Sequence, residues 1–158
     1  TADPGSSPVV VGNNIFVQGD RRMACVDLAT GETRWNTTLD MARPRYTSLV
    51  AADGKVFYTF DSVLCFRAAS EGFRPLMTAL IDENGLLADE AAFRQMLDLE
   101  TLEETAEGQK ESQKIWRKKF NNTGPLACAS PAIVDGKLYL RTKKGLACFD
   151  LTAKPAAK

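Results

Sequence analysis

Four thiols and twenty carboxylates are the main reactive groups of this 158-residue chain, which contains no histidine. The commonest general base, nucleophile activator and transition-metal ligand is therefore missing. A serine triad or a histidine-ligated zinc would need residues from elsewhere. The thiols fall at Cys25, Cys65, Cys128 and Cys148, without the CxxC spacing of a thiolate metal site and without adjacent pairs. No Asp, Asn and Glu set stands out from turn positions. Asn36-Thr37-Thr38 and Asn121-Asn122-Thr123 are glycosylation sequons of a kind frequent by chance. Arg43-Pro44-Arg45 and Lys143-Lys144 are read as solvated loop charge rather than the lining of a funnel mouth.

The surrounding composition is that of an ordinary globular domain with a core, 44% hydrophobic. Twenty basic residues balance the twenty acidic ones. That balance removes the electrostatic argument for nucleic acid or an anionic membrane as partner. No run approaches the roughly eighteen apolar residues of a membrane span. The chain opens at Thr1-Ala2-Asp3-Pro4-Gly5, without Met or signal peptide, and reads as cut from something longer.

Three segments repeat one pattern. Ser7-Pro8-Val9-Val10-Val11 leads through Asn13-Asn14 to Ile15-Phe16-Val17 and then Ala24-Cys25-Val26-Asp27-Leu28. Ser48-Leu49-Val50 leads through Asp53-Gly54-Lys55 to Val56-Phe57-Tyr58 and Leu64-Cys65-Phe66. Ser130-Pro131-Ala132 leads through Asp135-Gly136-Lys137 to Leu138-Tyr139-Leu140 and Ala147-Cys148-Phe149-Asp150-Leu151. Asn, Asp and Gly tolerate the positive φ of a tight hairpin. In the first unit, Thr30-Gly31-Glu32 turns the chain into a fourth strand bearing Trp35. Ser7 to Ser48 is 41 residues, in the range of a four-stranded propeller blade. Such a blade hides its faces only by stacking on neighbours.

The segment Cys25-Val26-Asp27-Leu28-Ala29-Thr30-Gly31-Glu32-Thr33-Arg34-Trp35 resembles the tryptophan-docking motif of pyrroloquinoline-quinone (PQQ)-type β-propellers, Ala-x-Asp-x-x-Thr-Gly-Lys-x-x-Trp, with Cys for Ala and Glu for Lys. The resemblance implies structural duties: Asp27, Thr30 and Gly31 shape the outer turn, and Trp35 packs flat on the next blade. Cys25, Cys65 and Cys148 stand where the family usually has Ala. Equivalent positions on stacked sheets lie about 10 Å apart, beyond the roughly 7 Å Cα separation of a disulfide. All three are therefore expected to be free, small and buried, which leaves Cys128 as the one candidate for a bridge.

In the second repeat the tryptophan counterpart is expected at Trp116, 41 residues later than the first repeat's spacing dictates. The extra residues carry a helical pattern from about Ala88 to Ala106, through Phe93, Met96, Leu97 and Leu102, with Asp89 as N-cap and Gly108 as stop. Ile81-Asp82-Glu83-Asn84-Gly85-Leu86 is alternatively a hairpin turn. Glutamates 100, 103, 104 and 107, followed by Lys110, Lys114, Arg117, Lys118 and Lys119, form a solvated face or a partner-docking arm.

The expected architecture is mostly β: a single partial propeller of three four-stranded antiparallel blades with a helical insertion in the second. Blade one covers about 6–40, blade two about 46–69 plus 113–120, the insertion about 70–112, and the last blade about 127–152, before a disordered tail at 153–158. By resemblance, the leading function is a non-catalytic periplasmic scaffold for protein–protein binding, similar to the lipoprotein subunit of the outer-membrane β-barrel assembly machinery, with no cofactor. The alternative is part of a PQQ- and calcium-dependent alcohol or sugar dehydrogenase whose quinone and calcium are bound by residues outside this chain. Three blades cannot close a ring of the usual four to eight. Their end faces are expected to meet the remainder of a propeller or to self-associate.

Overall fold

The computed structural model describes residues 6–39, 47–59, 62–120, 130–142 and 144–152. The first sheet is β1 (Val9–Val11), β2 (Asn14–Gly19), β3 (Arg22–Asp27) and β4 (Thr33–Thr38), ordered β1-β2-β3-β4. A middle sheet runs β5 (Val50–Ala52), β6 (Lys55–Thr59), β7 (Ser62–Arg67), β8 (Pro75–Ile81) and β9 (Leu87–Ala88). Three helices follow: α1 (Glu90–Met96), α2 (Leu99–Leu102) and α3 (Ala106–Lys119). The third sheet is β10 (Ala132–Val134), β11 (Lys137–Arg141) and β12 (Leu146–Asp150). All strand pairs given by the register are antiparallel.

Turn chemistry fixes these registers. Asp53-Gly54 and Asp135-Gly136 take positive φ at both residues, +49° and +67°, then +48° and +71°. That is the turn whose twist matches the flanking strands. In the first sheet the turn falls one residue earlier than the sequence reading placed it. Gly12 has φ +59°, and Asn14 already pairs with Val11.

Alternation then sorts side chains to faces. Phe16, Met23 and Cys25 of the first sheet pack with Val56, Tyr58, Leu64 and Phe66 of the middle sheet. The opposite side of the middle sheet, with Phe57, Val63, Cys65 and Ile81, packs with Leu138 and Leu140 of the third. The middle sheet is thus covered on both sides, which explains why five consecutive residues of β7 from Ser62 to Phe66 are buried. The inner strands β1 and β10 flank β5.

Three expectations are corrected. Residues 113–120, expected as a strand bearing Trp116, belong largely to α3, where Trp116 packs on Phe120 at 4.6 Å. The fourth strand of the middle sheet is instead β8, inside the range expected to be a helical insertion. The physical signal is the apolar run Pro75-Leu76-Met77-Thr78-Ala79-Leu80-Ile81, one turn after β7. Finally, the single helix over 88–106 is broken. Asp89 caps α1 by accepting from the Ala92 amide at 2.8 Å, but α1 ends at Met96 and Asp98 turns left-handed at φ 51°. Gly108 lies in the first turn of α3, capped by Thr105. A Cβ at Gly108 would sit 1.7 Å from the Leu102 carbonyl oxygen, so glycine there permits a close backbone approach rather than a stop. Residues 153–158 and Cys128 lie outside the described residues.

Candidate functional site: the seams between sheets

The first seam is built around Trp35. β4 pairs with β3 so that Trp35 stands opposite Cys25, on the face turned to the middle sheet. Its indole Nε1 donates to the Ala69 carbonyl at 2.9 Å. Its ring lies 6.0 Å from Phe16, 6.3 Å from Phe66 and 5.9 Å from Phe73, tilted or edge-on to each. Edge-on geometries suit the ring quadrupole, and the indole N–H finds the partner a buried one requires.

Asp27 sets the turn that delivers Trp35. One carboxylate oxygen accepts from the Ala29 and Thr30 amides, both at 2.8 Å. The other accepts from Asn13 Nδ2 at 3.1 Å and from Arg34. Gly31, at φ +74°, returns its amide to the Asp27 carbonyl at 3.0 Å, and Thr30 Oγ1 accepts from Glu32 at 3.2 Å. The Thr30 amide, with Ala29 and Arg34 against some desolvation, holds the Asp27 carboxyl below its ordinary value. At the corresponding position of the middle sheet stands Arg67, which pairs with Lys55 as Asp27 pairs with Asn14.

A serine relay joins the inner edges. The Ser7 amide donates to Ser48 Oγ at 3.1 Å, and the Ser48 amide donates to Ser130 Oγ at 3.0 Å. Leu49 N–H returns to the Ser7 carbonyl at 3.3 Å. The three serines that align in the repeats therefore meet in space, the Ser48 and Ser130 hydroxyls each receiving the amide of the serine in the repeat before it.

The second seam has no tryptophan. Met77 stands opposite Cys65 as Trp35 stands opposite Cys25, and both pairings are followed at once by a register shift. A motif defined by its indole does not reveal Met77 in the sequence. Between the middle and third sheets it leaves a cleft of about 190 Å³ whose apolar walls are Phe57, Cys65, Met77 and Leu151.

Burial raises the Cys25 and Cys65 thiols, which makes them inert packing groups. Both are free and buried, but Cys148, also free, is exposed. Its face of the third sheet has no sheet stacked over it among the described residues, which corrects the expectation that all three would be buried. Beside it, the hydrogen bond that the Tyr139 hydroxyl donates to Cys148 raises that hydroxyl above its ordinary value.

The helices join the middle sheet through the β8–β9 hairpin. Asp82, buried, accepts from the Asn84 and Leu86 amides at 2.9 Å and meets Lys119 Nζ at 3.1 Å. Burial pushes its carboxyl up, but the Leu86 amide, Lys119 and the Asn84 amide together hold it below its ordinary value. Glu83 bridges to Lys144 at 2.9 Å. Arg43-Pro44-Arg45, Lys143 and the sequon at Asn121 lie outside the described residues. Among those described, no three acidic or cysteine side chains gather to hold a metal ion. No helix there is long and apolar enough to cross a membrane.

No family model matches the chain, and no curated protein matches it. Among solved structures it is similar to BamB from Moraxella catarrhalis, with a TM-score of 0.52 and 15% identity over 92% of this chain. The match spans 33% of that structure's length. At this identity the likeness is one of fold: a mostly β, propeller-type arrangement of antiparallel sheets.

Proposed function

We propose that the chain forms three blades of a PQQ-type propeller, with the helices as an insertion after the middle blade's strands, and that it serves as a non-catalytic scaffold for protein–protein binding in the periplasm. The observation that carries this reading is the equivalence of the two free end faces to the two faces of each seam. On the third sheet, Tyr139 pairs with Cys148 on the free face, as Phe16–Cys25 and Phe57–Cys65 do on faces turned to the next sheet. On the first sheet, Ile15–Val26 and Val17–Ala24 pair on the free face, as Val56–Phe66 and Tyr58–Leu64 do on the covered one. Val10, Val134 and Leu146 are 52%, 56% and 68% exposed there, and exposed apolar faces of this kind mark interaction surfaces.

Each end face is therefore shaped for another sheet of the same repeat, from the remainder of a propeller or from a second copy meeting it head to tail. The loops and the charged face of α3 are the surfaces for other polypeptide partners, and the reading assigns no cofactor to the chain. The donors a calcium–quinone dehydrogenase needs would come from outside the described residues. Sedimentation of the purified chain tests the end faces: concentration-dependent association, abolished by Tyr139→Glu, is expected, and a strict monomer would sink them. Dye-linked alcohol oxidation after adding quinone and calcium would replace the scaffold by the dehydrogenase.

A further inference from the structure

The two seams are built on one register, and they differ in what stands opposite the cysteine. In the first, the Trp35 indole fills the space between sheets and donates to Ala69 O. In the second, Met77 occupies that station, is 36% exposed, and leaves the cleft of about 190 Å³. An apolar cavity of roughly 150 Å³ accepts benzene, so this one has room for a fused bicyclic ring. Its walls repeat those of the filled seam: Phe57 corresponds to Phe16 and Cys65 to Cys25, with Phe149, the counterpart of Phe66, packed on the same cluster.

The position that carries the acceptor has a counterpart by register. Leu28, Ala68 and Leu151 are counterparts, each donating its amide across the same hairpin turn, to Asn13, Gly54 and Gly136 carbonyls at 3.0, 2.9 and 2.8 Å. The residue after Ala68 supplies the carbonyl that Trp35 uses; the residue after Leu151 is Thr152. Thr152 is held in place by Asp150, which accepts from its amide at 2.8 Å and its hydroxyl at 2.6 Å. Asp53 and Lys55 at the cleft carry opposite charges, so the site suits a neutral ring. The chain's own second tryptophan, Trp116, is engaged with Phe120 in α3, and residues 153–158 contain no aromatic side chain.

We infer that the cleft between the middle and third sheets is a recognition site for a tryptophan side chain presented by a partner polypeptide, its indole taking the place Trp35 takes in the first seam and donating to Thr152 O. The identity of the carrier rests on the protein-binding reading above; the cleft itself does not.

The test titrates the intact chain, carrying ¹³C-methyl methionine, with N-acetyl-tryptophanamide. A saturable upfield shift of the Met77 methyl in the millimolar range is expected, with Met96, 58% exposed, unmoved. N-acetyl-alaninamide should move neither. Leu151→Lys, at a residue 40% exposed on the cleft wall, should weaken binding by about tenfold or more. Met77→Trp, which delivers the indole covalently, should raise Tm by about 2–4 °C. A linear shift, one shared with Met96, one indifferent to Leu151→Lys, or a fall in Tm for Met77→Trp would overturn the proposal. A Met77 shift that follows protein concentration without the probe would assign the cleft to a second copy instead. Any of these failures leaves the end-face test standing, so the two readings fail separately.

Discussion

The first seam and the second share a register, a cysteine and a bulge, yet one is closed by a hydrogen-bonded indole and the other by a thioether that leaves a gap. The comparison separates two jobs that the repeat performs together. Strand pairing and hairpin turns bring the sheets to their positions. The residue opposite the cysteine decides how completely the sheets are sealed.

The largest expected contrast is between truncations at that station. Trp35→Ala should cost about 3 kcal/mol in denaturant unfolding, since it removes a large ring from a packed aromatic cluster and orphans its hydrogen bond. Met77→Ala, on a partly exposed wall, should cost about 1 kcal/mol or less. Equal costs would mean that the seams are sealed elsewhere.

The serine relay is shared by both seams and should lose comparable amounts from each. Ser48→Ala and Ser130→Ala each remove one acceptor, for about 1 kcal/mol apiece. A much larger loss at Ser48 would mark the first seam as the stronger tie.

The Asp27 turn belongs to the first seam, so acid should weaken that seam. Its folded pKa lies below the reference 3.8, so its contribution is complete above that value and is lost as pH falls through the folded pKa. Unfolding followed by Trp35-sensitive fluorescence between pH 5 and about pH 2 should show this loss, and Asp27→Asn should remove it.

The smallest effect concerns reactivity rather than stability. Alkylation of the native chain followed by peptide mapping should find Cys148 modified before Cys25 and Cys65, which stay protected until unfolding. Early labelling of Cys65 would mean that the second seam opens readily.

Much of this arrangement was legible in the residues. The serines, turn dipeptides, aromatic strands and cysteines recur because each repeat must place the same atoms against its neighbour, and the Asp27, Thr30, Gly31 and Trp35 roles were what the resemblance to the docking motif implied. Met77 was not legible as Trp35's counterpart because a motif defined by tryptophan hides its own substitution. A better signal was distance from the cysteine: Trp35 follows Cys25 by ten residues and Met77 follows Cys65 by twelve, the latter inside an apolar run. Trp116 is ambiguous in sequence, since a tryptophan among lysines looks the same in a strand rim as in a helix. The helical break at Asp98 was hidden for a different reason: the left-handed residue there is an aspartate and not a glycine.

The middle sheet is bounded on both sides and each outer sheet on one, so the molecule is a short linear array in which protection accumulates toward the centre. Amide exchange should accordingly be slowest in β6 and β7 and fastest in β10–β12, where three strands lean on a seam with a gap. When that outermost layer opens, it uncovers Phe57, Val63 and Ile81 together, so the chain meets its surroundings with a fresh apolar face well before it has unfolded. An occupant of the gap would act as a latch on that exposure, slowing the step at which a folded protein becomes a sticky one.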